Sequence, residues 1–599
     1  MKSSDSRRFN YKSSILKLQL SIINCQLSIL FLLCSCNGWL EEKPTSNIGP
    51  EQVGDSREAV DLWVTGVYSN WLYDMFCWTN FPRCLELDND YISGPDWLFG
   101  TLGAGNFAGN DDIAKLWNGP YNLINDANMA IRYIKAMNEV DEDYKNNAIG
   151  ELLFQKAFCY YIMVRAFGPL PYYDTDVSAG ADFYKPRASV ATIYGHITEM
   201  LEQAVTLMYS RDNPNYQPGH VSAGSAAGLL AKVYATMGSA SLPQGTEIIV
   251  RTGAPYDEAT NVNGEKVKVC RVPEAVTMQK DTVAGYTGMD PQACYERATH
   301  WARRVIDGDF GLYALAPYDE LWAASGRNAS EFMWAIRSVN GEEKYCTHVH
   351  TYFSGYKVSA SSEFIYSGGW IGNTNNWYQL FDDDDYRITK GVRHTWRYYY
   401  QESYNGTFIY PQSWLPRFSG FDDLGNWVQE PEYPTESADG KAIVWQYNTS
   451  YECLAFTTKY DDVEDDATDY ADSNYPFLRY ADVLLVRAEA ENELGNTAEA
   501  VQWLNAVRSR SNATLVDGTP SQTRLRSLIL EERAKEFACE GDRRWDLVRW
   551  GIYLQAMNAI GGRDDSDVSK ERTRRNLLYP LPVTEINANP YITENNFGW

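Results

Sequence analysis

The chain has 599 residues, 44% of them hydrophobic and 22% charged, the balance of an ordinary soluble globular protein. A net charge of −26 leaves no basic footprint to meet phosphates, which excludes nucleic acid as the expected partner and favours neutral or cationic ligands. The length holds about four average domains, or one repeat array running as a single body; its 42 Tyr and 19 Trp serve either as stacking surfaces or as helical core.

Lys2, Arg7, Arg8, Lys12 and Lys17 make a basic start, followed by the apolar run LSILFLL at 27–33. That run fits the ~7–15 residues of a secretory signal core and falls well short of the ~20 that span a bilayer. Leu33-Cys34-Ser35-Cys36 resembles a bacterial lipobox with Cys36 as the lipidated residue, although Cys34 is unusual at the middle position. Residues 1–35 are then a lipoprotein signal peptide, and lipid on Cys36 anchors the chain without spanning the membrane. The alternative is a secreted chain with Cys36 as a plain thiol. Cys159 and Cys539 sit on helical apolar faces and read as core thiols. Cys77 and Cys84 are the only close pair beyond the leader, and no disulfide is expected between them.

Residues 56–75 and 117–137 read as helices. The stretch between them, 77–110, is rich in Gly, Asp, Asn and rings, and includes Trp78, Tyr91, Asp96, Trp97 and Asn106. It exceeds the ~12–15 residues of an ordinary connection, so it reads as a functional loop. Helices follow at 148–168, 189–208, 222–238 and 292–307, with an irregular insertion at 239–290. Residues 340–472 lose the helical pattern and predict short strands and long loops, as in GGWIGNTNNWYQLF and HTWRYYY. The pattern returns at 476–510, PFLRYADVLLVRAEAENELGNTAEAVQWLNAVRSR. There Ala481, Leu484, Leu485 and Ala488 recur at i, i+3, i+4, i+7. Val483, Val486, Ala490 and Leu494 form a second stripe, so this helix is expected to be buried on two sides. Gly495 stands where a glycine ends a helix, and Asn496 with Glu499 is spaced to cap the next one. The result is an antiparallel helical hairpin close to a tetratricopeptide unit. Four such hairpins are counted, at 56–137, 148–208, 222–307 and 478–510.

Three motifs narrow this further: RYADVLLVRAEAENELGN at 479–496, LEERAKEFACEGDRRWDLVRWG at 530–551 and LLYPLPVTEINANPYITENNFGW at 577–599. In this order they resemble the C-terminal half of the SusD/RagB family, surface lipoproteins that capture nutrients for a TonB-dependent outer-membrane transporter. The helix at 148–168, ending in Phe167-Gly168-Pro169-Leu170-Pro171, is similar to a helix and turn of the same family. Asn37 to Pro44 resembles the start of its mature chains. The resemblance implies a mainly α, SusD-like fold: four tetratricopeptide-like hairpins with an irregular, loop-rich region carrying short strands. Periodicity alone says only helical and repeat-like. The implied organisation is a single body over 36–599, with a helical part at 36–339, a variable ligand region at 340–472 and the family motifs at 473–599.

Residue patterns for chemistry are sparse. The runs Asp382–Asp385 and Asp461–Asp466 match no calcium loop and read as solvated surface. His348 and His350 lack the further ligands a zinc site needs, and ordinary loop histidines are expected. No serine-nucleophile elbow, HExxH or phosphate loop occurs, and no cofactor or metal is expected. Arg543, Arg544, Trp545, Asp546, Arg549 and Trp550 look like an active constellation, but the resemblance implies that they stitch the C-terminal helices to the core. What remains is aromatic. Trp97 with Asp96 and Asn106, and Trp370, Trp377 and Tyr378 with Asn373, Asn375 and Asn376, pair flat rings with short polar groups. Trp396 and Arg397 add a ring and a donor. At ~0.5–1.5 kcal/mol per ring, three platforms give millimolar capture or weaker before hydrogen bonds. The expected function is therefore non-catalytic binding of oligosaccharide at the outer-membrane surface, delivered to a SusC/RagA-like transporter. A peptide-binding lid of the same transporter type, and an outer-membrane glycoside hydrolase, are the alternatives.

Overall fold

Four helix pairs form the frame. They are α1 (Arg57–Asn70) with α2 (Asp111–Ala136), α3 (Glu142–Phe167) with α4 (Val190–Leu207), α5 (Ala223–Ser241) with α6 (Pro291–Ile306), and α7 (Tyr480–Glu493) with α8 (Thr497–Arg510). Each pair packs on the next, α2 against α3, α4 against α5 and α6 against α7, which is the predicted repeat. A computed structural model describes residues 53–76, 80–260, 264, 266–357, 365–367, 369–393, 397–398, 408–412, 443–447, 454–562 and 568–599. Every element named below lies in the unit Ser56–Trp599.

Local chemistry explains the helix starts. Ser56, Asn110, Ser189 and Ser222 each accept a backbone N–H of the first turn through a side-chain oxygen. Gly495 takes φ +88 at the end of α7, the left-handed conformation that a side chain disfavours. Asn496 does not cap α8: its amide donates to Glu491 at 2.6 Å, and Glu499 is taken by Arg487 at 2.5 Å. Both apolar stripes of α7 are buried, except that Leu494 is half-exposed at the turn.

Much of the aromatic content is core. Trp71 is fully buried, with Phe81, Phe158, Trp334 and Phe477 ring centroids 5.3–5.7 Å away, and its indole N–H donates to Gln155 at 2.6 Å. Trp334 and Phe477 come from β6 (Phe332–Ile336) and β8 (Tyr475–Arg479), an antiparallel pair that closes the frame before α7.

Two expectations change. Residues 239–290 are not irregular: β2 (Glu247–Thr252) pairs antiparallel with β5 (Glu274–Gln279), and β3 (Tyr256–Thr260) with β4 (Lys266–Cys270), one hairpin nested in the other. Ile248, Val250 and Thr252 alternate inward, the period of a half-buried strand, and the Ile249 N–H donates to Ser527 on α9 (Gln522–Glu536) at 2.8 Å. Residues 77–110 are not simply a loop, since they hold a helix at Asn80–Glu86, β1 (Ile92–Ser93) and a helical turn at Asp96–Phe99. Cys159 is buried on α3 as expected; Cys539 is buried too, but in the turn after α9 at φ +64 rather than on a helix face. Cys77 lies outside the described residues, and Cys84 is buried and free.

Candidate functional site

The site is built where two distant stretches pair. β1 runs antiparallel to β7 (Gly372–Asn373), Ile92 opposite Asn373 and Ser93 opposite Gly372. The Thr374 N–H donates to the Tyr91 carbonyl at 2.9 Å and extends the pairing. Past β1 the chain turns through Gly94, where a Cβ would stand 2.4 Å from the Phe99 ring and 2.5 Å from the Trp370 carbonyl, so only glycine fits. The helical turn Asp96–Phe99 then buries Leu98 and Phe99 and turns Asp96 and Trp97 outward.

The outcome is a staircase of rings. Trp97 is 63% exposed and meets Trp370 edge-to-face, centroids 5.2 Å apart and planes at 81°. Trp370 is half-buried and meets Tyr352 in the same way, at 5.2 Å and 88°. Tyr352 is buried, and its carbonyl accepts the N–H groups of Trp370 and Ile371 at 2.9 and 3.0 Å. An edge-to-face arrangement lets the electropositive ring edge meet the partner's π face, so each ring orients the next.

Buried charge bolts the loop before Trp97 to the C-terminal region. Arg543 holds Asp90 with two hydrogen bonds of 2.7 and 2.8 Å and lies 4.4 Å over the Tyr91 ring. Asp88 receives Arg544, Arg572 at 2.9 Å and the Tyr553 hydroxyl at 2.6 Å. Burial by itself raises the Asp88 carboxyl, but the two guanidiniums outweigh it and hold the group below its ordinary range. Lys570 donates to the carbonyls of Asn89 and Ile92 at 3.2 and 2.9 Å. The structural reading of the arginine motif thus acquires a purpose: it positions β1 and the turn that carries Trp97. Nearby, Glu86 accepts the Gly541 N–H at 3.2 Å, and burial pushes its carboxyl up to about 8.

Several expected site residues have other work. Trp377 is 3% exposed, its indole N–H donating to the Ala534 carbonyl at 2.9 Å and its ring edge-on to Phe381 at 4.6 Å. Tyr378 is fully buried in the same cluster with Tyr91, Leu380 and Ile388. Neither is a platform, because the helical turn Asn375–Tyr378 faces the core beneath β7. Asn375 donates to the carbonyls of Pro255 and Arg271 at 2.8 and 2.6 Å, Asn376 to that of Gly253 at 2.8 Å, and Asn373 to that of Ala455 at 3.3 Å. These amides satisfy loop backbone instead of facing solvent. Asn106 is exposed, and its amide closes its own turn on the Gly100 carbonyl at 3.0 Å. Arg397 lies in a two-residue strand that pairs parallel with Ile365–Ser367. Trp396 and Cys36 lie outside the described residues.

The acidic runs are only partly solvated. Asp383 and Asp384 are exposed, but Asp385 is buried against Arg387 at 2.7 Å. Asp461 pairs with Arg393 at 3.0 Å, and Asp462 is buried, accepts Ser473 at 2.9 Å and is pushed up to about 8 by burial. His348 and His350 are buried, and the His350 Nε2 lies 3.6 Å from Asp461. Among the described residues no group of three or more such side chains is placed to hold a metal ion.

Two family models match the chain: the one described as SusD family over residues 348–599, and the one described as starch-binding, associating with the outer membrane, over residues 38–235. The chain belongs to the SusD/RagB family. SusD-like protein P25 of Formosa agariphila is 24% identical over 604 residues, spanning 95% of this chain and 97% of that protein. The starch-binding protein SusD of Bacteroides thetaiotaomicron is 34% identical over 131 residues, 21% of this chain and 22% of that one. A SusD homologue from Bacteroides thetaiotaomicron superposes with a TM-score of 0.69 at 18% identity, covering 92% of this chain and 98% of that one. A laminarin-binding SusD-like protein superposes at 0.60 with 19% identity, covering 90% and 99%. The Trp97–Trp370 contact joins the two matched stretches of this SusD/RagB chain, one ring coming from each. Sequence reasoning missed Tyr352, although it lies in the polar and aromatic run HVHTYFSGY at 348–356, and the anchoring acids Asp88 and Asp90. Their signal was present: two carboxylates flanking Asn89, and an arginine pair in the C-terminal motif.

Proposed function

We propose that this SusD/RagB protein is a non-catalytic glycan-binding protein whose capture surface is the face carrying Trp97, Trp370 and Asp96. The observation that carries this is the exposed Trp97 ring, held by Trp370 in an anchored loop. A flat, pre-positioned indole stacks on the C–H face of a pyranose at little entropic cost, and the Asp96 carboxylate beside it accepts hydroxyl hydrogen bonds. Two rings at ~0.5–1.5 kcal/mol each leave binding weak before hydrogen bonds are added. That suits a protein that must release its cargo. The names of two relatives, one starch-binding and one laminarin-binding, support a glucan as the ligand class.

The recipient is a SusC/RagA-like TonB-dependent transporter, and the anchor is lipid on Cys36 in the outer membrane. The basic start, the short apolar run and the Leu33–Cys36 pattern support the anchor. The description of the model matching 38–235 supports the membrane. Affinity electrophoresis in gels containing starch or laminarin tests the surface: wild type is retarded by one of them and Trp97→Ala is not. Equal retardation of both proteins removes Trp97 from the site. Cys36→Ala is expected to leave the outer-membrane fraction, and retention there together with fatty-acid labelling overturns the anchor.

A further inference from the structure

Far from the Trp97 loop in the sequence, the end of α3, the loop 281–286, the helix Arg543–Arg549 and the segment 574–578 enclose a cavity of about 460 Å³. That lies within the ~300–1,000 Å³ of small-molecule sites. Val164, Val190, Val283, Leu554 and Leu577 make its walls apolar. The polar groups of the walls are mostly spent. The Tyr286 hydroxyl is bonded to Tyr194 at 2.8 Å, the Tyr553 hydroxyl donates to Asp88, and Arg549 is held by Glu489 and Asp546.

Three cations are left over. Arg165 lies 4.0 Å over the Tyr161 ring and donates only through Nε, to the Tyr161 carbonyl at 3.2 Å. Its two Nη groups have no hydrogen-bond acceptor among the described residues. Arg574 and Arg575 are exposed, resting 5.3 and 4.9 Å over Phe597 and Trp599. None of the three pairs with a carboxylate among the described residues, and Asp281 is the one acid in the lining. In a chain of net charge −26 this is a local excess of positive charge around an apolar hollow. Tyr286, Trp545, Tyr553 and Phe597 also line the hollow, with the two tyrosine hydroxyls spent on Tyr194 and Asp88.

We propose that this cavity, of about 460 Å³, is a binding site for a small amphipathic carboxylate with a medium-length acyl chain. Its tail lies between Val283 and Leu554 and its head group on Arg165, Arg574 and Arg575. The guanidiniums give charge-assisted, bidentate hydrogen bonds to a carboxylate, and the hydrophobic effect supplies the rest. The site is separate from the proposed glycan surface and does not depend on it.

The test is isothermal titration of the full mature protein with decanoate below its micelle concentration, with decanol and butyrate alongside. Saturable one-to-one binding of decanoate is expected, with decanol and butyrate each weaker by roughly tenfold or more. The double variant Arg574→Gln/Arg575→Gln alters exposed side chains only, and weakens decanoate by roughly tenfold at unchanged melting temperature. Val283→Trp fills the hollow and abolishes binding; if it does not fold, the arginine variant decides. Trp97→Ala binds decanoate as wild type does. The proposal is overturned by any of three results: no saturable binding, equal affinity for decanoate and decanol, or wild-type affinity in the arginine variant.

Discussion

Trp97 stands edge-on to Trp370, centroids 5.2 Å apart, and the pair joins the N-terminal loop to the variable region. Trp377, seven residues on from Trp370 in the chain, lies under that face instead of on it. The two tryptophans should therefore fail in opposite ways. Trp97→Ala removes an exposed ring and should abolish glycan retardation with almost no change in melting temperature. Trp377→Ala removes a buried ring and the hydrogen bond to Ala534, and should cost ~3–5 kcal/mol in urea denaturation. If Trp97→Ala melts early, or Trp377→Ala melts like wild type, the two assignments are exchanged.

Asp88 is the next point of leverage, because two guanidiniums and a tyrosine hydroxyl converge on it. Asp88→Asn keeps the shape and removes the charge, leaving Arg544 and Arg572 buried without a counter-ion. Breaking a buried ion pair in this way costs ~3–5 kcal/mol. The damage should be local first: faster amide exchange at 92–99, and weaker glycan binding although Trp97 is intact. Wild-type exchange in that segment would show that β1 is held by its pairing with β7 alone.

The frame was legible because helices announce themselves locally. Ser189 and Ser222 mark starts, Gly495 marks an end, and the stripes of Ala481, Leu484, Leu485 and Ala488 name the buried face. The site was legible only in part, because ring composition is the same on either side of a loop. Trp97 and Trp377 have similar polar neighbours in the sequence. What separates them is that Leu98 and Phe99 anchor one turn with its tryptophan outward, whereas the Trp377 turn is itself the anchor. Asn375 and Asn376 likewise read as hydroxyl partners, yet their amides are consumed by the carbonyls of Pro255, Arg271 and Gly253. Such pairings between residues more than a hundred positions apart leave no trace in local pattern. Asp385 and Asp462 sit in acidic runs but are buried against nearer partners, Arg387 and Ser473, and the composition of a run does not tell its buried acids from its exposed ones.

The face of α7 gives a direct check of the hairpin frame. Leu484 is 3% exposed. Leu484→Asp places an unpaired charge in that core and should unfold the C-terminal hairpin. Loss of the cooperative thermal transition, with lower helical signal in circular dichroism, is the expected reading. A wild-type transition would show that this face is not packed.

Two buried acids, Glu86 and Asp462, contribute a stability that falls as pH rises. Glu86 is pushed up to about 8 from an ordinary value of 4.5, because burial disfavours its anion. Below about 4.5 both the folded and the unfolded chain carry this proton, and Glu86 imposes no pH dependence. Between 4.5 and 8 the unfolded chain releases the proton while the folded chain keeps it, so stability falls as pH rises, and the loss is complete above about 8. Asp462, also pushed up to about 8 by burial, acts in the same direction from 3.8 upward. Glu531 and Glu536 act the other way. Burial raises both, but Lys535 and Arg251 for Glu531, and Arg510 and Arg479 for Glu536, outweigh it and hold them well below 4.5, so their stabilisation is lost only as pH falls beneath that value. Glu86→Gln keeps an acceptor for the Gly541 N–H and removes the titration. In urea denaturation the variant should match wild type at about pH 5 and exceed it at about pH 8 by on the order of 2–4 kcal/mol. A gap of the same size at both pH values would mean that the substitution acts through packing, and that Glu86 titrates alike in the folded and the unfolded chain.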